Sequence, residues 1–139
     1  MRRLCNQSKW RLAILCILCG LAGLTTLLPV SHAEEDAKTL TLVIDYGDGV
    51  QKHFLGLACK RGMTVLDVLE AAKQHPRGIR FSYRGKGATA FLTQIDDLKN
   101  EGRGKNWIYH VNGKVGDRSF AVFEVKPSDK VLWKFGEYR

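Results

Sequence analysis

Downstream of residue 33 the sequence holds a single cysteine, Cys59, and upstream of residue 34 it holds no acidic residue at all. The first scarcity excludes an internal disulfide between Glu34 and Arg139, because Cys5, Cys16 and Cys19 all fall in the leading segment. A lone cysteine in an oxidising compartment reads as a buried small hydrophobe, with a catalytic or dimerising thiol as the alternative. The spacings that carry catalysis are missing too. His53, His75 and His110 show no H-x-x-x-H metal spacing. No G-x-S-x-G elbow occurs, and Gly104-Lys105 runs into Asn106 without the leading glycine of a phosphate loop. Nothing in the sequence brings Cys59 to His53 or His110 as nucleophile and base. Asp96-Asp97 falls in a polar loop, where adjacent carboxylates are expected to be solvated. The chain is therefore read as a non-enzyme, free of internal repeats, linkers and low-complexity tracts.

The absence of early acidic residues changes the meaning of the net charge. The 139 residues carry 22 Lys/Arg against 14 Asp/Glu, a formal +8. Arg2, Arg3, Lys9 and Arg11 precede an uncharged run from Leu12 to Leu24, and Ser31 and Ala33 supply the small residues of a cleavage site after Pro29. We read residues 1–33 as a signal peptide and residues 34–139 as the mature domain. That domain keeps 18 basic and 14 acidic residues, a net +4, so half of the basicity belongs to targeting and nucleic acid is excluded as a main partner. The reading implies export, to the periplasm or the medium, with only transient membrane contact through the signal. An uncleaved anchor is the alternative, since Leu12 to Val30 gives 19 uncharged residues. Leucine before both Cys16 and Cys19 argues against lipid attachment. About 100 residues make one domain, and its 12 glycines and 12 aromatic residues suit a turn-rich, strand-rich fold.

Apolar alternation predicts a strand over 39–46, with Leu40, Leu42, Ile44 and Tyr46 on one face. Gly47-Asp48-Gly49 then turns the chain into a second strand over 50–57. Thr64 and Asp67 form an acidic capping box ahead of Val65, Leu66, Val68, Leu69 and Ala72, so a helix of about three turns is expected to end after His75. A third strand is predicted over 79–84, with Ile79, Phe81 and Tyr83 opposite Arg80, Ser82 and Arg84. The stretch 88–95 runs apolar, 96–106 reads as a polar loop, and 107–111 is a strand meeting the Asn112-Gly113 hairpin turn. Residues 114–123 carry no clear pattern, and 130–135 is a closing strand with Val131, Trp133 and Phe135 on one face. A hairpin cannot bury its apolar face alone. A helix laid across a mixed sheet completed by the later strands does so, which gives an α+β fold of β-grasp type.

The runs GMTVLDVLEAA, FSYRGKGATAFLTQI, WIYHVNGK and SDKVLWKF, in that order, resemble the transcobalamin-type C-terminal β-grasp domain. Bacterial proteins carry that domain as a family of unknown function, DUF4430, among the soluble ligand-binding β-grasp folds. The resemblance covers Leu40 to Phe135. It implies ligand contact by the turn Ala88, Thr89 and Ala90, by Phe91 and Leu92 after it, and by Trp107. It also implies cobalamin as the ligand, although no cofactor follows from the residues themselves. Two departures stand against a simple transfer. The related vitamin carriers have a Ser-Gly-Pro-like turn where this chain has Ala88-Thr89-Ala90, and the helical barrel that holds the other side of the vitamin is absent.

Trp107 is the first candidate for ligand contact, its indole offering a flat face and one donor; packing in the core is the alternative. Arg77, Arg80, Arg84, Lys86, Arg103 and Lys105 read as a basic rim or, more simply, as a solvated face. The expected function is a non-enzymatic, exported β-grasp domain that binds a small soluble ligand. The rival is an envelope protein-interaction module that pairs an exposed sheet edge with another chain.

Overall fold

The computed structural model describes residues 38–138, so the signal segment at 1–33 lies outside the described residues. Eight strands and one helix follow in the order β1 (Thr39–Asp45), β2 (Gln51–Ala58), α1 (Val65–Lys73), β3 (Phe81–Arg84), β4 (Phe91–Ile95), β5 (Leu98–Lys99), β6 (Asn106–Val111), β7 (Lys114–Val115) and β8 (Lys130–Gly136). They form a five-stranded sheet of order β2-β1-β8-β6-β7 and a three-stranded sheet of order β3-β4-β5. β1 and β8 run parallel, while β1–β2, β8–β6 and β6–β7 are antiparallel. A mixed sheet with one helix and this strand order is the expected α+β, β-grasp arrangement.

The register explains where the core lies. Phe54, Leu42, Val131 and Val111 stand opposite one another across four strands, and Ile44, Trp133 and Tyr109 form the next row. Phe135 and Trp107 continue it. Because side chains alternate between faces, all of these project from the same side, and all are buried. The helix meets this side with Val65, Val68, Leu69 and Ala72, the i, i+3, i+4, i+7 stripe. Three of those four are fully buried side chains of a size worth about 1.5–3 kcal/mol each. The small sheet contributes Leu92 and Ile95 to the same core cluster.

Local chemistry accounts for the element ends. Thr64 Oγ1 accepts from the Asp67 N–H at 3.3 Å, and the Thr64 N–H donates to Asp67 Oδ2 at 2.8 Å, which completes the capping box. Asn112, at φ 51°, takes the left-handed conformation that the β6–β7 hairpin turn needs. Three expectations are revised. The helix spans nine residues and is capped at Gln74, a little short of three turns. The polar loop at 96–106 contains β5, because Asp96 at φ 49° folds a tight turn straight back onto β4. The strand expected at 79–84 loses its alternation at a register shift between Ser82 and Tyr83, which leaves Tyr83 42 % exposed rather than inward.

Candidate functional site

The segment 87–92 and the segment 115–120 face each other across an open cleft of about 470 Å³, with Tyr109 and Trp133 also in its lining. Each wall has an identifiable cause. On one side, Gly87–Thr89 forms a single 3₁₀ turn, held by the Thr89 Oγ1–H donating to the Lys86 carbonyl at 2.9 Å. Gly85 makes that turn accessible: at φ 76° it stands so close to the Thr89 carbonyl that a Cβ would overlap it. On the other side, Gly116 passes directly over the Tyr109 ring, where any Cβ would collide with the phenol. The Tyr109 hydroxyl donates to the Arg118 carbonyl at 2.6 Å, and the Gly116 N–H to the Tyr109 carbonyl at 2.9 Å. Burial is the main cause pushing the Tyr109 phenol up, so it stays a neutral donor at neutral pH. The Ser119 hydroxyl bridges the two walls, donating to the Ala90 carbonyl at 2.9 Å.

The structure brings all six expected site residues, Ala88, Thr89, Ala90, Phe91, Leu92 and Trp107, to the lining of this one cleft. Their parts differ. Ala88, Thr89 and Phe91 are exposed, whereas Ala90 and Leu92 are buried. Trp107 is the correction. The alternation of β6 turns it to the inner face, where it is only 5 % exposed. Its indole N–H donates to the Leu98 carbonyl at 2.9 Å, and its ring packs against Tyr46 and Phe135 at 5.7 and 5.3 Å between centroids. With its donor used and its faces covered, it supports the cleft and offers no free stacking surface. The exposed aromatic rings of the lining are Phe91, 46 % accessible with the Arg84 guanidinium 5.2 Å from its centroid, and Tyr138, 77 % accessible.

The floor contains a residue that the sequence places on the apolar face of the closing strand. Trp133 is 2 % exposed and lines the cleft, yet its Nε1 is buried without a hydrogen-bond partner. Rings crowd it, Phe120 edge-on at 5.4 Å and Tyr109 tilted at 5.3 Å. An unpaired buried donor is costly, about 1–3 kcal/mol, and rare in native folds. A second feature is the edge of β6. β7 pairs only with His110 and Val111, so Asn106–Tyr109 has no strand partner on that side among the described residues. The Trp107 N–H there is capped by Asn100 Oδ1 at 2.8 Å.

Away from the cleft, Asp96 overturns the expectation of a solvated carboxylate. Its side chain is 19 % exposed and accepts from Tyr46 Oη–H at 2.5 Å, Lys52 Nζ at 2.8 Å and the Arg80 N–H at 2.9 Å. It thereby ties the small sheet to the β1–β2 hairpin. Burial pushes this carboxyl up, but the bonds from Arg80, Lys52 and Tyr46 together outweigh it and hold the carboxyl below the usual range. Burial, then the bond to Asp96, pushes the Tyr46 phenol well up. Asp97 beside it behaves as expected, an exposed partner of Arg80 at 2.9 Å. Cys59 is buried, as expected, and burial followed by the charge of Asp129 pushes its thiol up, away from reactivity. Among the described residues, no three His, Cys, Asp or Glu side chains group to hold a metal ion, and no helix is long and apolar enough to cross a membrane.

The model of the family described as "Domain of unknown function (DUF4430)" matches residues 62–137, more than half of the chain and all of the cleft lining but Tyr138. The chain belongs to that family. No curated protein matches it. Among solved structures, this DUF4430 domain is similar to a protein from Ruminococcus gnavus ATCC 29149 described as a "putative metal binding protein". The two are 16 % identical with a TM-score of 0.57, and the match covers 73 % of this chain and 98 % of the other. At that identity the likeness establishes the shared fold.

Proposed function

We propose that this DUF4430 domain is a non-enzymatic, exported binding domain that takes a small soluble ligand in the cleft between 87–92 and 115–120. The observation that carries the reading is the convergence on one concavity of an exposed aromatic ring, Phe91, and a buried unpaired donor, Trp133 Nε1. Ligand sites are mostly apolar hollows of about 300–1,000 Å³ with a few placed polar groups, and this cleft has that size and character. Phe91 supplies desolvated area, Thr89 and the backbone of the 3₁₀ turn supply polar contacts, and an acceptor on the ligand would complete Trp133. Cobalamin, which the family resemblance brings in, is too large to be enclosed here and could only be covered along one side. A metal ion, suggested by the description of the Ruminococcus protein, finds no matching donor set among the described residues.

The test is an amide-resolved NMR titration of the protein with cobalamin and with a panel of planar heterocycles, alongside Phe91→Ala. Binding shifts at Ala88–Leu92 and at the Trp133 indole N–H, lost in Phe91→Ala, are expected. Shifts elsewhere, or none at millimolar ligand, sink the cleft as a ligand site. A second reading rests on the stretch of β6 that no strand covers among the described residues, where an extended segment of an envelope protein would add as a strand by displacing the Asn100 side chain from the Trp107 N–H. It predicts shifts in the β6 amides on adding a partner and none with small molecules.

A further inference from the structure

The opposite face of the large sheet carries a concavity of about 520 Å³ that the cleft does not explain. It arises from the same alternation that buries Trp107, Tyr109 and Val111. Ile108 and His110 project the other way, and Lys134 stands directly across from Ile108 in the β6–β8 register. Lys105, entering β6, and Tyr138, following β8, complete its sides, and Tyr138 is 77 % exposed. The hollow borders the cleft through Ile108, Val115 and Tyr138 but takes its lysines and His110 from the other face of the sheet.

Its chemistry is unbalanced. Lys105 and Lys134 form none of the salt bridges among the described residues, and they stand together on the rim of one hollow. Glu137 is the only acidic side chain in the lining. His110, in the floor, has its Nδ1 shut off from solvent without a hydrogen-bond partner. Two ammonium groups on the rim attract negative charge. Ile108, Val115 and the Tyr138 ring offer apolar area beside them.

We propose that this face binds the oxyanion of a small soluble molecule, a carboxylate or phosphate carried on a flat apolar body. Lys105 and Lys134 hold the charge, the His110 ring forms part of the floor, and Tyr138 covers the apolar part. The site shares Ile108, Val115 and Tyr138 with the border of the cleft, but its charged groups, Lys105 and Lys134, are absent from the cleft.

The full chain titrated by NMR with phenyl phosphate, benzoate and inorganic phosphate tests this. Phenyl phosphate is expected to bind at least fivefold more tightly than inorganic phosphate, with amide shifts at Ile108, His110, Lys134 and Gly136 and movement of the His110 imidazole nitrogen signals. Comparable binding of benzoate would make the shared oxyanion the recognised group, and phenyl phosphate alone would assign the site to phosphate esters; either supports the site. Lys105→Gln and Lys134→Gln, both at the surface and harmless to the fold, should each weaken binding about three- to tenfold. Lys130→Gln on the same face and Phe91→Ala in the cleft should leave it unchanged, so failure here is distinct from failure of the cleft reading. Binding by the double lysine variant within twofold of wild type, shifts spread equally over Lys114 and Lys130, or an unmoved His110 ring would overturn the proposal.

Discussion

Replacing Asp96 with asparagine isolates the charge in the tie between the two sheets. The amide is nearly isosteric and asparagine tolerates the left-handed φ of 49° at this position, so the β4–β5 turn survives. What changes is Oδ2, which accepts from both Lys52 and Tyr46. An amide must either present its NH₂ to those two donors or rotate and present it to the Arg80 N–H. A hydrogen bond to a charged group is worth about 1.5–3 kcal/mol net. The Lys52 side chain is 40 % exposed, so its share is limited to the ~1 kcal/mol of a solvent-screened pair. We therefore expect Asp96→Asn to cost about 2–3 kcal/mol at pH 7. The pH dependence fixes the mechanism. A carboxyl whose folded pKa lies below its unfolded value of about 3.9 contributes stability above that value and loses it as pH falls through the folded pKa. The gap between wild type and variant should thus be constant from pH 7 to pH 5 and shrink towards pH 2.5. Urea unfolding followed by tryptophan fluorescence at those pH values measures it. A gap below about 0.5 kcal/mol at pH 7, or one that does not narrow in acid, would refute the assignment of Asp96 as a charged tie.

Thr64→Ala removes the side-chain half of the capping box, leaving the backbone N–H of residue 64 on Asp67, and should lower stability by about 1 kcal/mol, seen as a fall of about 4–8 °C in the calorimetric midpoint. Gly116→Ala drives a methyl into the Tyr109 ring; we expect a loss of about 1–3 kcal/mol in urea titrations and abolished ligand shifts at Ala88–Leu92. Trp133→Phe deletes the unpaired donor along with some volume, so it should weaken ligand binding in the cleft by more than it weakens the fold, and isothermal titration against urea unfolding separates the two. Cys59→Ser should leave any binding intact, and the native thiol should react with a disulfide reagent far more slowly than the unfolded chain's.

What could be read in the sequence was what depends on neighbours along the chain. Thr64 and Asp67 announce their helix because a capping box is closed within four residues, and Asn112-Gly113 announces its hairpin because the turn type demands that dipeptide. The strands over 39–45 and 130–136 were legible from alternation. The 88–92 segment was placed correctly beside Trp107, but through resemblance rather than periodicity. What was hidden depends on distance across the fold. Whether Trp107 or Phe91 faces solvent turns on a difference of one position in the alternation of β6 and β4, and the apolar content of both strands permits either choice. Asp96 looked solvated because its partners Tyr46 and Lys52 are 50 and 44 positions away. One local signal was available: two aspartates between Ile95 and Leu98 fit a two-residue hairpin connection, which would have revealed β5.

The strand order has a consequence for how the molecule comes into being. β8 lies between β1 and β6, in parallel register with the first strand although it follows all the others in the chain. Until residues 130–136 arrive, β1–β2 and β6–β7 are two separate hairpins with no common sheet, and neither can bury its apolar rows alone. Such non-local pairing closes late and slowly. The domain is thus assembled by its final segment, like an arch by its keystone: shortening the chain before Lys130 should abolish the fold as a whole rather than fray one end of it, and every chain still being made remains uncommitted to its final shape.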